Sequence, residues 1–465
     1  MTRIWMEQGT GLPWSKSGGP SPARYFPGIA HPFLDVTDRA SLTLQTVSRY
    51  IVVEEGPDVA APTAARVKPA YRVPTMEEIR AQEPNGFTAV STFSGCGGSS
   101  TGYRMAGFRV AWASEFVPAA QDSYRANMAP GTVLDGRDVR DVKPKEILDV
   151  AGEVDLFDGS PPCASFSTAG VRERGWGREK VYSDTVQRSD DLFFEYARLI
   201  EGVQPKTFVA ENVSGLVKGT AKGYFKLILR RLRAAGYRVE ARLLNAAQLG
   251  VPQARQRLIF IGVREDLGLD PVFPRPLPYT YTVRDALPHI LRQARPGAFG
   301  DGDWVEPDVP SMTLGASPSS GNGLFPPSGV IASRVVHDTS GQFGSGDVTD
   351  RPCPTITVGE GSANSHHYQV HYPGPIGDPP RDPETGADLL IRTVRKRPSS
   401  GLAARGQARK LTLPELRALS SFPPDFELTG NYAQRWERIG RAVPPVMMRH
   451  VAETVRDQIL RKVQQ

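Results

Sequence analysis

Cysteine is scarce in this 465-residue chain: Cys96, Cys163 and Cys353 are the only three, with no CxxC pair among them. That excludes a disulfide framework and a cysteine zinc site, and it sets the expectation of a reducing compartment. Long apolar runs are also missing. No stretch reaches the roughly 18 consecutive apolar residues of a membrane span, and the opening "MTRIWMEQGTGLPWSKSGGP" has no signal-peptide core. The expected setting is cytoplasmic, with no membrane. A large charge excess is absent as well: 56 Lys and Arg face 50 Asp and Glu, a net charge of +6, with a sequence pI near 9.1. This suits a polyanionic partner without demanding one. The dinucleotide fingerprint GxGxxG finds no good match, which disfavours a nicotinamide cofactor.

What is present has a clear order. With 39% hydrophobic residues the chain can bury a real core, and its length allows about two or three domains. Residues 1–85 are rich in Pro and Gly, with one plausible strand at "LTLQTVSRYIVVEE", and read as an extension that packs loosely on a core or wraps it. From Phe87 strands and helices alternate: "FTAVSTFSGCGG", "SSTGYRMAGF", "RVAWASE", "VPAAQDSYRANM", "VDLFDGSPP", "SDDLFFEYARLIEGV", "PKTFVAENV", "GYFKLILRRLRAAGY", then "RVEARLLNA" and "RLIFIGV". That rhythm predicts an α/β fold with a doubly wound, mostly parallel sheet over 86–264, its ligands at the carboxyl ends of the strands. Residues 265–404 break into Pro-, Gly- and Ser-rich segments, where "VPSMTLG" and "CPTITVG" echo each other, and read as a smaller irregular domain. Residues 405–465 are helical again and are expected to return to the first domain.

"FSGCGG" after a strand is a tight turn or a nucleotide-binding turn. Two acids favour the second. Glu115 ends the next strand about twenty residues on, where such folds hold a ribose hydroxyl pair; Asp138 follows in "GRDVRD" and could accept from an adenine amino group. A helix cap or a surface charge is the plainer alternative for each. Together they point to an adenosyl cofactor.

"DGSPPCASFST" places Cys163 behind two prolines and ahead of a Gly- and Arg-rich stretch, an unusual position for an inert, buried thiol. It reads as a nucleophile on a stiff backbone. At this point the phrases "TFSGCGGSSTG", "PPCASFSTAG", "AENVSG", "QARQR" and "RWERIGRAVPP" stand in the order and spacing of the cytosine-C5 DNA methyltransferases, a resemblance carried by residues 87–264 and 405–460. It implies a Rossmann-like, S-adenosylmethionine-dependent methyltransferase fold, with 265–404 as the target-recognition domain. It further implies that Cys163 adds to C6 of a cytosine flipped out of double-stranded DNA. Glu211 of "ENV" would supply the proton at N3. Arg257 would meet O2, and Arg255 would hold the glutamate, the thiol region or a phosphate. Asn212 and Val213 would shape the pocket. On the cofactor side it implies Phe93 on adenine; Ser94, Gly95, Gly97 and Gly98 around the methionine moiety; and Pro162 and Leu192 on the pocket wall. Phe116, Val139 and Ala442 are counted with Glu115 and Asp138 in that site. For DNA contacts the candidates are Ser165, Gln253, Thr355, Ile356 and, in the loop "AGVRERGWGREK", Arg172 and Arg174.

Two departures stand out. Ala164 follows the thiol where glutamine is common. Arg441 in "GRAVPP" stands where the family has asparagine beside the cofactor. A buried unpaired guanidinium is costly, so Arg441 either turns outward, or pairs with a carboxylate or phosphate, or meets an extra carboxylate on the cofactor. The last option means carboxy-S-adenosyl-L-methionine and a 5-carboxymethylcytosine product. A tRNA-cytosine methyltransferase and a non-catalytic DNA-binding module are the other readings; the long insert and the full catalytic set disfavour them. The chain is expected to act as a monomer on the nucleoid of a bacterial or phage-infected cell, with a cognate restriction endonuclease as an open question.

Overall fold

The computed structural model describes residues 68–162, 180–182, 185–187, 191–217, 222–288, 334–337, 346–347, 351–356, 368–371, 380–390 and 408–464. Seven strands form one sheet: β1 (Thr88–Thr92), β2 (Arg109–Ser114), β3 (Val133–Asp135), β4 (Leu156–Gly159), β7 (Thr207–Val213), β8 (Tyr237–Asn245) and β10 (Gln256–Arg264). Short strands β5 (Lys180–Tyr182), β6 (Thr185–Gln187) and β9 (Gln253–Ala254) lie outside it. The sheet order is β3-β2-β1-β4-β7-β10-β8. Every pairing is parallel except those of β10, which runs antiparallel between β7 and β8. The doubly wound, mostly parallel α/β architecture expected from strand–helix alternation is therefore the observed one.

Alternation along each strand decides which face a residue serves. On β10, Leu258 and Phe260 enter one core while Ile259, Ile261 and Val263 enter the other; on β7, Phe208 and Ala210 oppose Val209 in the same way. Both faces are covered, which is why "RLIFIGV" is apolar throughout. One face is closed by α4 (Pro144–Ala151), α5 (Leu192–Val203) and α6 (Lys222–Ala234). In α5 the residues Leu192, Phe193, Tyr196, Ala197, Leu199, Ile200 and Val203 are buried, a stripe at helical spacing.

The other face is closed by α1 (Met76–Ala81), α2 (Gly98–Met105) and the helices of the C-terminal segment. The helix Pro445–Val455 returns to the first domain and lies directly on α2. Close approach is possible because α2 carries glycines at its contact: a Cβ at Gly102 would stand 2.5 Å from the Pro445 carbonyl oxygen. Residues 68–85 are bound more tightly than a loose extension. Met76 and Ile79 are buried in this core, the Met76 amide donates to Asp425 at 2.7 Å, and Lys68 pairs with Asp285 at 2.7 Å. The strand expected at "LTLQTVSRYIVVEE" lies outside the described residues.

After the seven-stranded sheet, β11 (Arg334–His337), β12 (Gly346–Asp347) and β14 (Tyr368–His371) of the 265–404 segment and β15 (Ala408–Lys410) of the C-terminal segment form a small antiparallel sheet in the order β12-β11-β14-β15. β13 (Cys353–Pro354) pairs in parallel with β9, which ties this region to the "QARQR" segment. Among the described residues no helix is long and apolar enough to cross a membrane.

Candidate active site

Strand order reverses at β1 and β4: β2 and β3 lie to one side of the pair, β7 to the other. A crevice opens outside the carboxyl ends at such a point. Two loops enter it, Phe93–Gly97 after β1 and Ser160–Pro162 after β4.

The first loop turns through left-handed conformations, with φ +53° at Phe93, +57° at Gly95 and +97° at Gly97. Glycine carries that geometry without a Cβ clash. The Gly95 amide donates to Glu115 Oε2 at 2.7 Å and the Val117 amide to Oε1 at 2.8 Å. Glu115 is thereby held at the end of β2, and burial raises its pKa while these amides and the charge of Arg441 oppose the rise. Each carboxylate oxygen keeps a second lone pair for a hydroxyl donor. A Cβ at Gly95 would meet nothing within 4 Å, so the turn borders open space. A bent glycine turn, open space and a buried acid with spare acceptor capacity fit an adenosyl group. Phe93 and Phe116 are half-buried at the turn and beside Glu115, and Ser94 is nearly buried.

The second loop leads to Cys163, which lies outside the described residues together with Ser165, Arg172 and Arg174. Its approach is held from β7. The Asn212 amide nitrogen donates to the Pro161 carbonyl at 3.2 Å, so the "ENV" strand latches the backbone two residues before the thiol; Pro162 follows, half-buried. Glu211, 9% exposed, pairs with Arg257 at 2.6 Å between Oε1 and Nε. Antiparallel pairing creates this contact, because it sets Arg257 at the start of β10 opposite Val213 at the end of β7. Burial lowers the Arg257 pKa and Glu211 resists the fall.

Several expected residues sit elsewhere. Arg255 is directed away from Glu211. It is 1% exposed and donates to the carbonyls of Ile356 at 3.1 Å and Gly440 at 2.8 Å. Gln253 is equally buried, accepting from the Ile356 amide at 3.2 Å and donating to Ser420 Oγ at 3.1 Å. Ile356 is sealed in the core. Gln253, Arg255 and Ile356 thus form a clamp joining the 265–404 segment to the C-terminal segment, and all three are buried where DNA contacts were expected of Gln253 and Ile356. The turn between β9 and β10 sends Arg255 inward and leaves the Glu211 contact to Arg257. Thr355 is half-buried, with its hydroxyl on the Ala254 carbonyl at 3.3 Å.

On the cofactor side, Leu192 and Val139 are buried in the helical core. Asp138 lies three residues past β3, where it caps a short turn through the Arg140 amide at 3.0 Å and pairs with the Arg140 side chain at 2.8 Å. Gly97 meets the Tyr124 ring, and Gly98 serves packing: a Cβ there would lie 2.5 Å from the Val443 carbonyl oxygen and 3.2 Å from the Ala442 Cβ. Arg441 turns outward, 43% exposed, and pairs with Glu437 one helical turn earlier at 2.8 Å, while its charge still reaches Glu115.

One buried acid has no counterpart in the sequence reading. Asp158 on β4 is 1% exposed and accepts from Tyr103 Oη at 2.7 Å and Ser91 Oγ at 2.8 Å. Its signal was an aspartate directly after the apolar pair Leu156–Phe157 in "VDLFDG".

Comparison with known proteins places this geometry. The chain is 31% identical over 373 residues to the Type II methyltransferase M1.HphI of Haemophilus parahaemolyticus, covering 79% of this chain and 86% of that one. It is 29% identical over 375 residues to the Type II methyltransferase M.MthTI of Methanothermobacter thermautotrophicus, covering 79% and 97%. A crystal structure of S. pombe Dnmt2 methyltransferase overlays with a TM-score of 0.47 at 16% identity, covering 82% of this chain and 100% of that one. The family description "C-5 cytosine-specific DNA methylase" matches residues 87–457 without interruption. With a match spanning both the glycine turn and the returning helix, the chain belongs to the C-5 cytosine-specific DNA methylase family.

Proposed function

We propose that this protein transfers a methyl group to C5 of a cytosine flipped out of double-stranded DNA, through a covalent bond between Cys163 and C6. The observation that supports the reading is the convergence of the Pro161 backbone, the "ENV" strand end and Arg257 at the carboxyl ends of β4 and β7, with Glu211 and Arg257 2.6 Å apart and Asn212 holding the Pro161 carbonyl. S-adenosyl-L-methionine, which the family implies, would supply a methyl on positively charged sulfur, an electrophile whose leaving group is a neutral thioether.

The chain's own residues do the rest. The Cys163 thiolate adds to C6, and the electron pair of the C5–C6 double bond moves into the ring toward N3. Glu211 shares a proton there, and Arg257, bonded to it, fixes which way the carboxyl faces. C5, made electron-rich by that addition, is the atom that would take the methyl group the bound cofactor supplies. Loss of the C5 proton to a base and departure of the thiolate restore the aromatic ring. Phosphate contacts supply most of the affinity for DNA, so binding is expected to weaken steeply with salt. The named relatives are Type II methyltransferases, and a modification enzyme acting on cytoplasmic DNA, with or without a partner endonuclease, is the matching role.

Mass spectrometry of nucleosides from DNA of an expressing host tests the reading: 5-methylcytosine is expected, and its absence would refute it. A 5-fluorocytosine duplex should trap the wild-type protein covalently and leave Cys163→Ala untrapped.

A second reading rests on Arg441. Its guanidinium is half-exposed, and its charge reaches Glu115 at the ribose end of the crevice. A swing away from Glu437 would let it meet a carboxylate on the transferred carbon of carboxy-S-adenosyl-L-methionine. The product would then be 5-carboxymethylcytosine, resolved by the same mass measurement in a host that makes both cofactors; 5-methylcytosine alone ends this reading.

A further inference from the structure

Asp158 is a carboxyl group set into the sealed middle of the sheet. Among the described residues it forms no ion pair; its side-chain partners are two hydroxyls. Burial pushes its pKa up to about 7, with a contribution from the negative charge of Glu211. A buried acid without a cation is an expensive way to fill an apolar strand position, and its contacts indicate what it does there.

Ser91 lies on β1, which enters the glycine turn, and Tyr103 lies on α2, which leaves it. Asp158 therefore grips both flanks of the turn at once. Ser94 within the turn extends the network, its hydroxyl donating to the Ser91 carbonyl at 3.0 Å. The Thr92 hydroxyl donates to the Asp158 carbonyl at 3.1 Å. Three residues after Asp158 the chain reaches Pro161 and Pro162, and Cys163 follows them in the sequence. One side chain thus links the loop that borders the adenosyl crevice to β4. We propose that Asp158 is a positioning residue, which holds the glycine turn in register with β4 through Ser91 and Tyr103 and so sets adenosyl binding.

This rests on the methyltransferase reading for the identity of the ligand. The ionised carboxylate accepts from both hydroxyls, whereas the protonated acid must donate one of its own bonds and releases part of the grip. The titratable groups around Asp158 are Tyr103 on α2, Glu211 on β7, Tyr196 on α5, and Tyr124 on α3 (Pro118–Asn127). The tyrosines are held far toward the neutral form by burial. Glu115 at the end of β2, whose pKa burial also raises, is a second carboxyl in the crevice, and replacing Asp158 separates its share of the pH dependence from that of Glu115.

The test is calorimetric titration of the full chain with S-adenosylhomocysteine from pH 6 to pH 8. Wild-type affinity is expected to weaken about tenfold from pH 8 to pH 6, one proton's worth. Asp158→Asn should bind about tenfold more weakly at pH 8 and lose the part of the pH dependence that Asp158 supplies, and Ser91→Ala and Tyr103→Phe should each reproduce part of that loss. Tyr196→Phe is the control. It removes a buried hydroxyl bonded to the Phe157 and Val209 carbonyls, not to Asp158, and should leave affinity and slope unchanged. Folded Ser91→Ala and Tyr103→Phe proteins with wild-type affinity at every pH would overturn the proposal, even if Asp158→Asn failed to fold. A wild-type protein that binds no adenosyl ligand would instead overturn the methyltransferase reading itself.

Discussion

Glu211 and Arg257 form a nearly enclosed ion pair, and removing one partner separates its structural from its chemical role. The side chains are 11% and 14% exposed and 2.6 Å apart. Breaking a buried pair by deleting one member costs about 3–5 kcal/mol, because a desolvated charge is left behind. With a small opening to solvent on each side, Arg257→Ala should lie near the lower end, about 3 kcal/mol, and lower Tm by several degrees. Glu211→Gln differs: its amide oxygen still accepts from the Arg257 Nε–H, but the buried guanidinium loses its counter-charge, so stability should fall by about 2 kcal/mol, less than on truncation. The same change removes the acid and should slow single-turnover methylation by about 10²–10⁴-fold. Thermal melts and single-turnover rates of the two single mutants, Glu211→Ala and the double alanine mutant complete the cycle. A coupling energy of at least about 2 kcal/mol is expected between the alanine pair. Additive alanine mutants would refute the ion pair, and a Glu211→Gln protein as fast as wild type would refute the proton at N3.

Three further outcomes follow from geometry. Gly98→Ala or Gly102→Ala would set a methyl 2.5 Å from the backbone oxygen of Val443 or Pro445; each should cost about 1–3 kcal/mol in a denaturant titration, and no loss would mean that the C-terminal helix is not seated on α2. Arg255→Ala strips the Ile356 and Gly440 carbonyls of their donor and should speed hydrogen exchange around residues 353–356 while leaving Glu211 and Arg257 paired; unchanged exchange there would contradict the clamp. Asp158 has a folded pKa of about 7 against about 3.9 in an unfolded chain, so the folded state holds the extra proton between those values. Its contribution to stability is greatest below pH 4 and is lost as pH rises through 7, by an upper limit of about 4 kcal/mol. Asp158→Asn should flatten the decline of stability between about pH 4 and 7, and an unchanged slope would argue against a buried, titrating carboxyl.

Much of this protein was legible in one dimension because the information is local. A period-2 or period-3.6 pattern of apolar residues reports which backbone can bury them, so "RLIFIGV" and "SDDLFFEYARLIEGV" announced a two-faced strand and a half-buried helix. The glycines of "FSGCGG" and the acid of "RVAWASE" follow from the geometry of a strand-to-helix turn, and the hydrogen bond from Gly95 to Glu115 realises it. The family phrases likewise pointed to Cys163, Glu211 and Arg257. Contacts between residues far apart in sequence were decided only by tertiary structure. Antiparallel β10 gave the Glu211 contact to Arg257 and turned Arg255 into a clamp on Ile356 and Gly440, and no spacing within "QARQR" encodes that choice. Gly98 was expected to face a cofactor and instead admits the Val443 carbonyl, because the returning helix presses on α2 from some 340 residues away in sequence. Asp158 is the sharpest case. In the sequence it is one acid between Phe157 and "GSPP", and only the folding of β1 and α2 around it supplies the two hydroxyls that make its burial tolerable.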